Sequence, residues 1–359
     1  MKRITSISAI LLLVCLSLSA GNPASALKTK QQAKTLESIV RLDDNLYKVK
    51  YNADYKLPLA LERGSRGNDE LLRFVGTELL EPTAIPSAQG AGCSAFVCRT
   101  PDGDVLYCRN FDYDFKASPV EMLCTISSKV SGANSSVSMA ALNFIGYTAG
   151  QISDGKTDIS KVVGAPYAPM DGMNSKGLAI SVLQVSSFGA EQYDPSKPNA
   201  STSLMIRWIL DRASTVDEAL EMFSSVNFFA HGGKYRSNYH FFIADKTGRS
   251  VIVEYVQKTQ GAPKEKVDEP YVMYVQETPY AANNFFYPDW DDPKAKHERD
   301  CVLKETLKAA DGVLDYTRAW SLIGRVTREH TRWSVVYNLT RGTADIAWEK
   351  SGKIEHVKL

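Results

Sequence analysis

The rhythm of apolar and polar positions changes near residue 92. Ahead of it, Leu71, Leu72, Val75, Leu79 and Leu80 recur at helical spacing and predict a helix from Asn68 to Leu80, with Asn68 as its cap. Gln31 to Arg41 reads as a more polar helix, and Leu46 to Tyr51 alternates as a short strand. The stretch from Glu81 to Gly92 is rich in Pro, Gly and small residues, lacks periodicity, and reads as an exposed, cleavable linker.

After Gly92 the pattern is one of strands. Ser94 to Arg99 and Val105 to Arg109 flank Asp102-Gly103, a hairpin signal. Two further hairpins are predicted: Tyr239–Asp245 with Ser250–Tyr255, turning through Lys246-Thr-Gly, and Trp333–Leu339 with Ala344–Glu349, turning through Arg341-Gly342. Helices fall between them at Leu204 to Ala213, Val216 to Ser224, His297 to Ala309 and Tyr316 to Val326. Thr215 and Glu218 form a capping-box pattern ahead of the second of these. Strands, then helices, then strands again predict an α+β fold in which antiparallel sheets are covered by helices.

Lys2, Arg3, the apolar run from Ile10 to Leu18 and the small-residue triplet Ala24-Ser25-Ala26 read as an export leader with cleavage near Ala26, which implies a secreted or periplasmic protein. The expected organisation is residues 1–26 as signal peptide, 27–92 as a prosegment and 93–359 as the catalytic domain. The 42 Lys and Arg against 41 Asp and Glu leave no basic footprint for nucleic acid. The histidines (His231, His240, His297, His330 and His356) show no metal-binding spacing. Once the leader is removed, five cysteines remain, an odd number that leaves at least one thiol free within the chain.

Cys93 stands at the junction between linker and strand. If the chain is cut after Gly92, this one residue carries both a thiol and a free α-amine. Such an amine, with an ordinary pKa of about 7.7–8.0, can act as general base near neutral pH. With Asp102-Gly103 as a two-residue turn, Cys93 would pair with Asp112, whose carboxylate could hold the α-amine, and Cys98 and Cys108 would lie on opposite faces. Arg109 could supply the cation that favours thiolate. Strict alternation places Arg109 and Asp112 on opposite faces, so joint roles at Cys93 call for a bulge between them.

The segments Cys93-Ser-Ala-Phe-Val and Gly103-Asp-Val-Leu-Tyr-Cys-Arg109-Asn110-Phe111-Asp112-Tyr113 resemble the choloylglycine hydrolase group of N-terminal nucleophile hydrolases. That group includes bile salt hydrolases, penicillin V acylases, acid ceramidase and N-acylethanolamine acid amidase. Asp171-Gly-Met-Asn174-Ser-Lys-Gly177-Leu, the hairpin from Tyr239 to Glu254, Asn283-Asn284-Phe285, His297-Glu-Arg299 and Trp333-Ser-Val-Val-Tyr337 continue the resemblance to the end of the chain. The family usually has Gly where Cys108 stands and Thr ahead of its oxyanion asparagine, where this chain has Ala282-Asn283-Asn284.

The resemblance implies a four-layer αββα sandwich and a self-processing cysteine amidase that needs no cofactor or metal. Cys93 would attack the amide carbonyl of an N-acylated amine and form a thioester. Asn284, with Asn283 as the alternate, and the Asn174 region would donate to the oxyanion. Arg109 and Arg299 would tune charge, and Asp112 would orient the α-amine. The length of the prosegment is similar to that of the acid ceramidase branch. This implies lipid amides as substrates, the prosegment as an associated α chain, and compatibility with contact at a lipid surface and with a homo-oligomer. Conjugated bile salts and penicillin V are the alternative substrates. The competing classes are a Cys/His thiol hydrolase using His231 or His240, and a non-catalytic relative.

Overall fold

The computed structural model describes residues 23–81, 92–114, 118–186, 189–230, 237–258, 269–288, 298–348 and 351–359. In chain order the strands are β1 (Val40–Arg41), β2 (Leu46–Tyr51), β3 (Gly92–Arg99), β4 (Val105–Asp112), β5 (Glu121–Ile126), β6 (Ser136–Ala141), β7 (Pro169–Asn174), β8 (Leu178–Ser186), β9 (Asn199–Ser201), β10 (Asn227–Phe229), β11 (Asn238–Asp245), β12 (Ser250–Val256), β13 (Val272–Glu277), β14 (Tyr280–Ala281), β15 (Thr331–Asn338), β16 (Thr343–Trp348) and β17 (Ile354–Lys358). The α-helices are α1 (Lys30–Glu37), α2 (Leu57–Arg63), α3 (Asn68–Phe74), α4 (Ser128–Ser131), α5 (Thr202–Arg212), α6 (Val216–Ser224), α7 (Glu298–Ala309) and α8 (Tyr316–Arg325).

Among the described residues, nine strands form one sheet in the order β1-β2-β5-β6-β7-β8-β11-β12-β13, and six form another in the order β14-β3-β4-β15-β16-β17. Their inner faces meet: Tyr107 of β4 stacks on Phe242 of β11 and donates to its carbonyl. Helices α5 and α6 cover the outer face of the large sheet, and α7 and α8 cover that of the small one. This is the α, β, β, α order that the family resemblance implied. Strands in the middle of the sheets therefore bury both faces, which is why β4 and β12 are buried along their whole length.

The hairpin of β3 and β4 departs from the expected register. Cys93 pairs with Phe111, and Gly92 pairs with Asp112. The connection is not a two-residue turn. Residues 100–104 form a longer loop closed by Thr100 N to Asp104 O at 2.8 Å and Gly103 N to Thr100 O at 2.9 Å. Gly103 takes the left-handed conformation the loop needs, with φ of 89°. The shift of one residue changes which side chains share a face. Cys93, Ala95, Tyr107, Arg109 and Phe111 lie in the core between the sheets, whereas Phe96, Cys98, Leu106 and Cys108 pack among the helices on the outer face. Cys98 and Cys108 are thus on one face, with their side chains hydrogen-bonded, and both thiols are free.

The segment ahead of Cys93 is built into the large sheet rather than standing apart. Strand β2 pairs in parallel with β5, from Leu46 opposite Glu121 to Tyr51 opposite Ile126. Tyr47, Val49, Tyr51 and Tyr55 are fully buried. Tyr51 donates to Val163 O at 2.7 Å and Tyr55 to Asp211 Oδ2 at 2.6 Å. Helix α3 is shorter than its apolar stripe suggests: Gly67 stands at its cap, and Val75–Leu79 widens into a π turn. Ahead of α6, Thr215 accepts from Glu218 N at 3.2 Å, but the Glu218 carboxylate turns to Ser214 N, one residue earlier than the usual reciprocal partner. The export leader falls mainly on residues outside those described. The linker from 82 to 91, His231 and His297 lie outside them too.

Candidate active site

Cys93 opens the inner face of β3 and is fully buried. Alternation along β4 brings Arg109 to the same face, where its Nη2 lies 3.1 Å from Cys93 Sγ and donates to Val182 O at 2.9 Å. The opposing sheet supplies the counterion. Asp171 of β7 accepts from Arg109 Nη1 at 2.6 Å, Trp333 Nε1 at 2.9 Å and Tyr337 Oη at 2.6 Å. Three donors on two oxygens, with no exposure to water, hold the carboxylate and so the guanidinium in one orientation. The rings of Phe111 and Trp333 stack at 4.1 Å, with the Arg109 guanidinium 5.0 Å and 5.8 Å from their respective centroids. Burial alone would pull Arg109 below its ordinary pKa, but Cys93 and Asp171 raise it, so the guanidinium stays charged.

Asp112 approaches from the other side of the strand. It accepts from Arg299 Nη1 at 3.0 Å and from Thr331 Oγ1 at 2.6 Å. No bulge interrupts β4 between Arg109 and Asp112. The irregularity lies in the neighbouring strand, where β15 shifts register between Thr331 and Trp333. That shift lets one strand serve both faces, with Trp333 on the Asp171 side and Thr331 on the Asp112 side.

Arg299, near the start of α7, ties the cluster together. Its Nη1 also donates to Cys93 O at 2.7 Å, and its Nη2 donates to Asn283 Oδ1 at 2.6 Å. Asn283 Oδ1 in turn accepts from Cys93 N at 2.8 Å, and Asn283 Nδ2 donates to Gln184 O at 2.6 Å. The nitrogen of Cys93 therefore meets Asn283, not Asp112 as the expected register implied. The Asp112 carboxylate reaches the Cys93 backbone through Arg299.

Two sequence-selected residues stand elsewhere. Asn284 donates to Asp300 Oδ2 in α7. Pairing of Tyr280 and Ala281 with Phe96 and Ala95 fixes the approach of this segment, and it is Asn283 that meets Cys93. Asn174 is fully buried at the end of β7, where it organises structure. Its Nδ2 donates to Leu210 O at 3.0 Å and Ala213 O at 2.7 Å, while its Oδ1 accepts from Lys176 N and Leu178 N. Its amide joins the end of α5 to the turn before β8, and none of these bonds reaches the Cys93 cluster. His240 does not meet the Cys93 sulfur either: its ring nitrogens contact Glu254 Oε1 and Ala282 O.

Sequence reasoning missed four partners. Asp171 was visible only as part of the Asp-Gly-Met-Asn run. Thr331, Val182 O and Gln184 O carry no local signal, because two are backbone carbonyls and Thr331 acquires its place from the β15 irregularity.

Burial pushes the Cys93 thiol up to about 12. Arg109 opposes this, Asp112 adds to it, and the Asp112 backbone N–H and Arg299 oppose it further. In this state Cys93 is a neutral thiol at neutral pH. Its nucleophilic form calls for solvent, substrate or a new charge beside it.

The family model for linear amide C–N hydrolases of the choloylglycine hydrolase family matches residues 93–300, more than half of the chain. The chain thus belongs to the choloylglycine hydrolase family of linear amide C–N hydrolases. A penicillin V acylase of Pectobacterium atrosepticum is 32% identical over 97 residues, which are 25% of this chain and 26% of that protein. The chain thus spans about a quarter of the length of the curated relative it matches. A mutant conjugated bile acid hydrolase from Clostridium perfringens is similar at TM-score 0.49 and 16% identity, covering 74% of this chain and 92% of the other. A penicillin V acylase from Agrobacterium tumefaciens is similar at TM-score 0.45 and 16% identity, covering 74% and 86% respectively.

Proposed function

We propose that the protein is a self-processing, exported cysteine amidase that cleaves N-acylated amines through a thioester on Cys93. The observation that carries this reading is the convergence on one residue: Arg109 at the Cys93 sulfur, Asn283 at its nitrogen and Arg299 at its carbonyl oxygen. Cleavage of the bond between Gly92 and Cys93 would free the α-amine. The thiol proton then passes to that amine, and the thiolate adds to the amide carbonyl. Asn283 Nδ2, held at Gln184 O, is the side-chain donor best placed to serve the oxyanion. The α-ammonium protonates the leaving amine as the C–N bond breaks. The amine next takes a proton from water, whose oxygen attacks the thioester, releasing the carboxylic acid and restoring the thiol. Arg109 lowers the cost of the thiolate, and Asp171 keeps Arg109 in place.

Lipid amides are the substrate class we favour. The support is the N-terminal segment, whose burial in the large sheet suits an α chain that stays bound after the cut. A second reading, penicillin V, is favoured by the 97-residue match to a penicillin V acylase. Export is supported by the pattern of the first 26 residues. The test is amine release by wild type and Cys93→Ala from N-palmitoylethanolamine, a glycine-conjugated bile salt and penicillin V. Turnover of N-palmitoylethanolamine above the other two, lost in the variant, is the expected result. Preference for penicillin V overturns the substrate reading and leaves the mechanism. Turnover by Cys93→Ala overturns the mechanism.

A further inference from the structure

Opposite each other on β11 and β12, next to the register pair Phe241 and Val253, stand His240 and Glu254. Both are fully buried, and the mechanism above uses neither. His240 Nδ1 lies 2.9 Å from Glu254 Oε1, and His240 Nε2 lies 2.7 Å from Ala282 O. Glu254 also accepts from the backbone N–H of Phe286, at 2.9 and 3.1 Å to its two oxygens, and from that of Tyr287 at 3.0 Å. The pair therefore grips the chain at 282 and again at 286 and 287. Asn283, the residue that meets the Cys93 nitrogen, lies between these two grips.

We propose that His240 and Glu254 are positioning residues that act on catalysis through Asn283. This rests on the reading of Cys93 and Asn283 given above. The chemistry of the contacts supports it. A carbonyl oxygen only accepts, so His240 Nε2 carries a proton, and the Nδ1–carboxylate contact holds a second one between the two side chains. A buried hydrogen-bonded polar unit of this kind is rarely superior to apolar packing for stability alone, but it does fix geometry. Here the geometry it fixes is that of a short, otherwise irregular segment with no long strand of its own. Strand β14 ends at Ala281, so sheet pairing stops two residues before Asn283, and the side-chain grips take over from it. Sliding of the segment by one position would bring Asn284 to Cys93 and carry Asn283 away.

The experiment is a double-mutant cycle on the full-length protein, using Glu254→Gln and His240→Gln, each alone and combined with Asn283→Ala. Two readouts are taken: kcat and KM on whichever of the three amides above the wild type turns over, and the rate of Cys93 alkylation by iodoacetamide, followed by peptide mass. The expected result is a 10- to 100-fold fall in kcat for each single substitution with KM within about twofold, and no further fall when it is added to Asn283→Ala. Alkylation at Cys93 should change at least threefold with Asn283 present and less than 1.5-fold without it. Equal losses in both backgrounds, or kcat unchanged in both single variants, would overturn the proposal. If the wild type hydrolyses none of the amides, the functional reading fails, and the alkylation cycle alone decides whether the pair acts through Asn283. Two substitutions are used so that a folding failure in one leaves the other to decide.

Discussion

Neighbouring asparagines divide the work between them. Asn283 touches Cys93, Arg299 and the β8 backbone, whereas Asn284 touches Asp300 of α7. Loss of one oxyanion donor commonly costs about 2.7–4 kcal/mol, or roughly 10²–10³ in rate. Asn283→Ala should therefore lower kcat by about that factor, and Asn284→Ala by less than about tenfold, in steady-state amide hydrolysis. The reverse ranking would return the role to Asn284. Arg109→Lys should be nearly as harmful as Asn283→Ala, because a single ammonium cannot span Cys93 Sγ, Val182 O and Asp171 together. Cys93, Arg109 and Asp112 were legible as candidates from residue type and spacing along one hairpin, whereas Arg299 came only with the family resemblance. The choice between adjacent asparagines was not. It depends on where a two-residue strand docks, and no pattern of two residues reveals that.

Strand register shows the same limit at the level of elements. The hairpin of β3 and β4 was visible from its apolar runs and Asp102-Gly103, yet the loop closes over residues 100–104 and shifts the pairing by one. A one-residue shift exchanges the faces, which is why Cys98 and Cys108 share a side in the structure. Asn174 is likewise an element-scale residue. It holds Leu210 O and Ala213 O at the end of α5 and two N–H groups of the next turn. Orphaning buried backbone groups costs about 1–3 kcal/mol. Asn174→Ala is expected to lower the thermal midpoint by a few degrees, measured by calorimetry, while kcat of the folded enzyme stays within about twofold. A large kcat loss with an unchanged midpoint would return Asn174 to the site.

At the scale of the whole molecule, the N-terminal segment supplies β1 and β2 to the large sheet. The sequence marked it as separate because the linker breaks the pattern. Parallel pairing of β2 with a strand more than seventy residues away has no local signature. A chain cut ahead of Cys93 should elute as one particle in size-exclusion chromatography and separate into two fragments only in denaturant. Elution as two species from native buffer would contradict this packing. The buried thiols set an alkaline limit. Burial pushes Cys93 and Cys124 each up to about 12. A folded-state value above the unfolded one, about 8.5, means that stability is full below that pH and is lost as pH rises toward the folded value. The thermal midpoint should fall steadily from pH 8.5 to 10.5, and Cys124→Ala should flatten that slope.

In the proposed mechanism Cys93, as the first residue of its chain, carries the acyl group. The most direct test is the intact mass of enzyme quenched in acid during amide turnover, for wild type and Cys93→Ala. The expected result is a fragment that begins at Cys93 and gains the mass of one acyl group, with an uncut, unlabelled variant. An uncut wild-type chain that turns over amide without an adduct would contradict it.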